Sequence, residues 1–156
     1  MDRLRVEANK DVSKISVLGV PDRPGIAAEI FGTLGAKGFN VELVVTTGGT
    51  RGTADICLAV SRDQAAGVQS LMEEIRRSVS ARDIREDPAV ALVSITGRNL
   101  AKVPGIAGRM FKALSARGVN IDVVSTSLSS VTCMIPHDRT EEAVAALEGE
   151  FLAELG

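Results

Sequence analysis

The chain repeats itself, and that constrains its fold more than any other property. Pro24-Gly25-Ile26-Ala27 recurs unchanged as Pro104-Gly105-Ile106-Ala107, an offset of 80 residues (104 minus 24). The same offset carries Phe31 to Phe111, Leu34 to Leu114, Gly38 to Gly118, Asn40 to Asn120 and Thr46 to Thr126. A constant offset held from position 24 to position 46 marks duplicated structure, and a unit this long is a small domain and not a solenoid repeat. The length of 156 residues alone suggests one domain. The repeat predicts two.

In the first copy, Ile15 and Val17 alternate with Lys14 and Ser16, the period of a strand, which is expected to end at Gly19. Asp22-Arg23-Pro24-Gly25 then turns the chain into a helix. Its buried stripe is predicted as Ile26, Ala27, Ile30, Phe31 and Leu34, with Gly38 stopping it. A second strand runs from Asn40 to about Thr46, and Thr47-Gly48-Gly49-Thr50-Arg51-Gly52 reads as a hairpin loop. Ala54, Ile56, Leu58 and Val60 alternate along a third strand. Val68, Leu71, Met72, Ile75 and Val79 mark a second helix, and a strand over Arg82 to Glu86 closes the unit. The order β-α-β-β-α-β is the ferredoxin-like split βαβ, an α+β fold.

The second copy predicts a strand over Val90 to Ile95 and a helix burying Ile106, Ala107, Met110, Phe111 and Leu114. Strands over Asn120 to Ser125 and Ser130 to Ile135 follow, then a helix burying Val144, Leu147 and Phe151. No fourth strand follows before Gly156, and a bare sheet edge is a pairing hazard. The N-terminal segment, where Leu4, Val6 and Ala8 alternate with Arg3, Arg5 and Glu7, is expected to cover it. The expected modules are therefore residues 14–87, and residues 3–9 with 88–156, the first inserted within the second.

Several functions find no footing. The 18 Lys and Arg are interleaved with 20 Asp and Glu, so the basic stripe that nucleic-acid binding needs is missing. Without Trp or Tyr there is no platform for stacking bases. No apolar run approaches the ~18 residues of a membrane span. The start, Met1-Asp2-Arg3-Leu4-Arg5, lacks the apolar core of a signal peptide, so a cytoplasmic location is expected. Cys57 and Cys133 lie far apart, outside any C-x-x-C pair, and read as small strand residues. His137, the single histidine, lies in Pro136-His137-Asp138 and reads as a surface or capping residue. No Gly-rich loop precedes a Lys-Ser or Lys-Thr, and Gly32, Gly35 and Gly38 fall on or after a helix, the wrong context for a dinucleotide fingerprint. Glu73-Glu74 and Glu141-Glu142 are expected on solvated helix faces. No catalytic residue, metal ligand set or cofactor is expected.

The duplicated helix starts carry more chemistry. The first-turn amides of a helix are unpaired, and with the helix dipole they form a carboxylate or phosphate cradle. Glycine at 25 and 105 lets a ligand approach the backbone. Proline is also at home in a first turn, so plain helix initiation is the competing reading. Asp22 in the first copy corresponds to Lys102 in the second (22 plus 80). An α-amino acid carries a carboxylate and an ammonium together, and only the first loop offers both a cradle and a counter-charge. The competing reading of Asp22 is a turn residue, a place where Asp is common. Asn40 and Asn120 can donate and accept toward a polar ligand, or simply serve a helix-to-strand turn.

The run Gly19-Val20-Pro21-Asp22-Arg23-Pro24-Gly25-Ile26-Ala27-Ala28-Glu29-Ile30-Phe31 resembles the first ACT domain of the aspartate kinase regulatory region. Pro104-Gly105-Ile106-Ala107, with Gly118-Val119-Asn120-Ile121-Asp122-Val123-Val124-Ser125-Thr126-Ser127, resembles its second. The resemblance covers nearly the whole chain, including the N-terminal strand. It implies a non-catalytic region that binds threonine, lysine or both as feedback effectors, dimerises through side-by-side sheets, and works with a kinase domain or subunit. It places the effector between Val20, Asp22, Gly25, Ile26, Ala27 and Thr46 of the first module and Asn120 and Ile121 of the second. The mirrored set, Gly105, Ile106, Ala107, Asn40 and Val41, is a second possible site. Two positions depart from the family pattern. Thr46 stands where a glutamine is usual, which shortens a ligand-facing side chain, and Leu128 stands where an acid is usual. The alternative reading is a structural dimerisation module, or a free-standing ACT protein, whose effector site has decayed.

Overall fold

In the computed structural model, which describes residues 3–48 and 52–156, the chain separates into two units: Asp11–Pro88, and the segment up to Lys10 together with Ala89–Gly156. Of the expected hairpin loop, Gly49, Thr50 and Arg51 lie outside the described residues, as do Met1 and Asp2 of the start. In chain order the elements are β1 (Arg5–Asn9), β2 (Val12–Pro21), α1 (Ile26–Ala36), β3 (Val41–Gly48), β4 (Thr53–Ser61), α2 (Ala65–Ser78) and β5 (Asp83–Asp87). Then follow β6 (Val90–Thr96), α3 (Ile106–Ala116), β7 (Val123–Thr126), β8 (Ser130–Pro136) and α4 (Thr140–Glu150). One sheet has the order β3-β4-β2-β5 and the other β1-β6-β8-β7, with every neighbouring pair antiparallel. The fold is α+β, with two ferredoxin-like units.

Each core follows from two periodicities meeting. Period two points Ile15 and Val17 of β2, and Ile56, Leu58 and Val60 of β4, to one face of their sheet. Ile26, Ile30 and Leu34, spaced by four, present one helical row to that face, with Val68, Ile75 and Val79 beside them. In the other unit the same roles fall to Val93, Ile95, Val131, Cys133 and Ile135 under Ile106, Met110, Leu114, Leu147 and Phe151. Cys133 is fully buried, and burial pushes its thiol up to about 12, so it remains a neutral core residue.

The structure corrects several expectations. Ala27 is exposed and outside the buried stripe, because it lies about 100° around the helix from Ile26 while the row turns inward at steps of four. Asn40 and Asn120 do not open strands: β3 starts at Val41, and β7 only at Val123. The delay in β7 follows from its partner, since β8 ends in Pro136, which has no N–H to extend the ladder. β2 runs past Gly19 to Pro21 through a register shift between Val17 and Val20. β5 spans Asp83–Asp87, within one residue of the strand expected around Arg82 to Glu86. Ala8 is exposed, whereas Leu4 is 2% exposed. Glu73 lies on a solvated helix face, as expected, and there accepts from Arg76 at 2.6 and 2.9 Å and from Arg77 at 3.1 Å.

The two ends of the chain hold each other. Leu4 N–H donates to the Glu154 carbonyl at 2.8 Å, and Gly156 N–H donates back to the Leu4 carbonyl at 3.1 Å. Beside them β1 pairs with β6 from Arg5↔Thr96 to Asn9↔Leu92. The Leu4 side chain fills the space over Gly97, where an added Cβ would stand 2.6 Å from Leu4 Cδ2. Arg109 fastens the C-terminal turn, bonding Glu150 at 2.9 Å and Glu154 at 2.8 Å and lying 4.4 Å from the Phe151 ring centroid.

Two predictions follow from this packing. Leu4→Ala leaves a cavity beneath that junction and is expected to lower stability by about 2–5 kcal/mol, read from urea denaturation. The Arg76 guanidinium hydrogen-bonded to Glu73, with Arg77 beside it, holds the Glu73 carboxyl down at about 2, against 4.5 for the free group. A depressed carboxylate stabilises above its unfolded value and loses that contribution as pH falls through the folded one. The stability difference between wild type and Glu73→Gln is therefore expected to be constant above pH 4.5 and to vanish between 4.5 and about 2. Acid titration of the urea midpoint measures it.

Candidate functional site

At the junction of β2 and α1 the chain passes from a strand to a helix in four residues. Asp22 N–H donates to the Gly52 carbonyl at 2.8 Å, anchoring the turn to the start of β4. Gly25 then takes φ 95° and ψ −12°, in the left-handed region where a Cβ is penalised, and α1 begins. The first helical bond runs from Glu29 N–H to the Gly25 carbonyl at 2.9 Å, so the amides of Ala27 and Ala28 have no helical acceptor. No side chain caps this end. A helix start of this kind presents donors and a partial positive charge to whatever lies in front of it.

In front of it lies a recess of about 180 Å³. Its lining includes Val20, Asp22, Ile26, Ala27 and Thr46, which are five of the residues singled out in the sequence, and Gly25 adjoins them. Val20, Ile26 and Ile56 are buried and give it an apolar floor, while Asp22 and Ala27 are exposed at its rim. Thr46 faces Ile56 across the β3–β4 ladder. Sequence reasoning missed Ile56 and Ala54, although their strand alternation points them to the same face, and missed Arg23, which reaches Glu29 at 3.4 Å.

The remaining named residues stand on other elements. Asn120 is exposed and Ile121 half-buried, both ahead of β7 in the other unit, where the next N–H, that of Asp122, donates to the Met134 carbonyl at 2.9 Å. Asn40 N–H is taken by Gln64 Oε1 at 3.1 Å, and Gln64 Nε2 donates to the Gly38 carbonyl at 3.2 Å. Val41 packs on the core. In the second unit Arg139 braces the corresponding loop, donating to the Arg117 carbonyl at 2.7 Å. Neither brace was foreseen, since a polar side chain reaching over from another turn leaves no periodic trace.

The second helix start is built alike and furnished differently. Gly105 takes φ 86° and ψ −2°, and Arg109 N–H donates to its carbonyl at 2.9 Å. Ile106 is buried and Ala107 half-buried. At the position of Val20 stands the larger Leu100, buried in the core, and at that of Asp22 stands the exposed Lys102. Leu128 is 80% exposed in the β7–β8 turn, and its carbonyl accepts from Ala101 N–H at 3.2 Å. The two starts therefore share the amide cradle but differ in the sign of the nearby charge. His137 opens a short turn before α4, where its carbonyl accepts from the Thr140 hydroxyl at 2.7 Å. Among the described residues no group of three or more His, Cys, Asp or Glu is placed to hold a metal, and no helix is long and apolar enough to cross a membrane.

Comparison with known proteins places this geometry. The ACT domain family matches residues 14–79 and, a second time, residues 93–151. An aspartate kinase of Pseudomonas putida is 34% identical over 143 residues, which make up 92% of this chain and 35% of that protein. The ligand-free regulatory subunit of aspartate kinase from Thermus thermophilus superposes with a TM-score of 0.87 at 29% identity, covering 94% of this chain and 96% of that one. The aspartate kinase of Synechocystis superposes with a TM-score of 0.90 at 30% identity, covering 97% of this chain but 27% of its own. The chain thus spans about a third of the curated kinases it matches and nearly all of a separate regulatory subunit. With two family matches in tandem, each on one ferredoxin-like unit, it belongs to the ACT-domain family as a pair of ACT domains.

Proposed function

We propose that this chain is the amino-acid-sensing regulatory part of an aspartate kinase and that its effector is threonine, lysine or both. The reading rests on the similarity to a regulatory subunit of the same extent, and on one observation above all. In the first unit an uncapped helix start, Asp22 and Thr46 border one recess with an apolar floor.

The chemistry follows from the parts. The effector's carboxylate takes the Ala27 and Ala28 amides, where the helix dipole favours negative charge. Its ammonium takes Asp22, a charge-assisted bond. Its side chain lies against Val20, Ile26, Ala54 and Ile56, with the Thr46 hydroxyl as polar partner. Binding then favours one arrangement of the regulatory part over another, and a coupling of about 1–3 kcal/mol suffices for feedback control. The second helix start, with Lys102 where Asp22 would be, offers the ammonium no partner, so the reading assigns one effector site per chain to the first unit.

Threonine or lysine at 100 times its Kd adds about 2.7 kcal/mol and is expected to raise the melting temperature by about 5–10 °C. Calorimetry is the readout, since the chain lacks Trp and Tyr. Asp22→Ala is expected to weaken binding by about 10- to 100-fold. A melting temperature unmoved by any of the twenty amino acids selects the assembly-only reading instead.

A further inference from the structure

The recess depends on a change of parity in β2. Ile15 and Val17 face the core, so in a regular strand Gly19 would face it next, and Val20 and Asp22 would turn to the opposite side. Instead Val17 pairs with Ile56 and Val20 with Ala54, so Leu18 and Gly19 together stand opposite the single residue Asp55. This is a β-bulge, and it brings Val20 into the core and Asp22 to the recess.

A bulge breaks the ladder, and the displaced groups need other partners. On the β5 side the Leu18 carbonyl accepts from Arg82 N–H at 2.9 Å. On the β4 side Gly19 N–H donates to the Asp55 carboxylate, Oδ1, at 2.8 Å. The residue facing the bulge thus uses its own side chain to hold the amide that the bulge frees. In the other unit β6 ends at Thr96, and Asn99, at the position of Gly19 (19 plus 80), takes φ 58° where Gly19 takes 63°.

We propose that Asp55 is a positioning residue for the amino-acid site, holding the Leu18–Gly19 bulge so that Val20 and Asp22 face the recess. The proposal rests on the reading of that recess as an effector site. Asp55 is absent from the recess lining, so it acts through β2 and not by touching the ligand.

The test compares Asp55→Ala, which removes the acceptor, with Asp55→Asn, which keeps an oxygen there. Three readouts are taken at a temperature where all forms are folded: hydrogen exchange of the Gly19 amide, nuclear Overhauser contacts from Val20 methyls to Ile26 and Ile56, and calorimetric affinity for threonine and lysine. Asp55→Ala is expected to speed Gly19 exchange by about 10-fold or more, to weaken the Val20 contacts, and to lower affinity by about 10-fold. Asp55→Asn is expected to stay within about 3-fold of wild type in exchange and affinity. Unchanged Gly19 exchange in Asp55→Ala, or lost protection with undiminished affinity, overturns the proposal. A wild-type chain that binds neither amino acid removes the effector reading and with it the positioning role, while Gly19 exchange still reports whether Asp55 holds the bulge.

Discussion

Backbone amides that no helical carbonyl can reach are the constraint around which the first unit is arranged. A helix must begin somewhere, and its first N–H groups need water, a cap or a ligand. Here the beginning follows a left-handed glycine, carries no side-chain cap and opens on a recess floored by Val20, Ile26 and Ile56. Apolar burial fixes where α1 lies, because Ile26, Ile30 and Leu34 must face β2 and β4. Once that row is seated, the free amides are aimed with it. Binding chemistry at this junction is thus a by-product of core packing, and the residues that refine it stand on the turn and on the neighbouring strands.

Duplication supplied the scaffold twice, and divergence furnished the copies differently. Leu100 occupies in the second core the place that Val20 holds in the first. Lys102 replaces the carboxylate of Asp22 with an ammonium. The loop after the first helix is braced by Gln64 in one unit and by Arg139 in the other. The strand that feeds the helix is ten residues long in the first unit and seven in the second. Ile15, Ile26, Ile30 and Leu34 keep apolar counterparts in Ile95, Ile106, Met110 and Leu114, while Val17 gives way to Gly97, over which Leu4 packs.

Much of this architecture was legible because it is periodic or repeated. Alternation in Ile15 and Val17, fourfold spacing in Ile26, Ile30 and Leu34, and the Pro-Gly-Ile-Ala duplicate all point to α+β units with matching helix starts. What escaped was local and aperiodic. The bulge at Leu18–Gly19 depends on an Asp55 carboxylate that meets it only after the strands have paired, so a simple reading ends the strand at Gly19. The late start of β7 depends on Pro136 in a partner strand. Ala27 belongs to the apolar class but sits at the rim of the recess, because angle around the helix, and not residue type, decides which way it faces. Ile56 and Ala54 were visible as strand residues, yet their place in the recess emerged only from the β2–β4–β3 order.

The most direct test is to follow the backbone amides of an isotope-labelled chain while threonine and lysine are added singly. The account predicts saturable shifts largest at Ala27 and Ala28, with Asp22 and Thr46 moving alongside them and Ala107 and Gly108 staying nearly still. Shifts concentrated at the second helix start, or none at either, would contradict it.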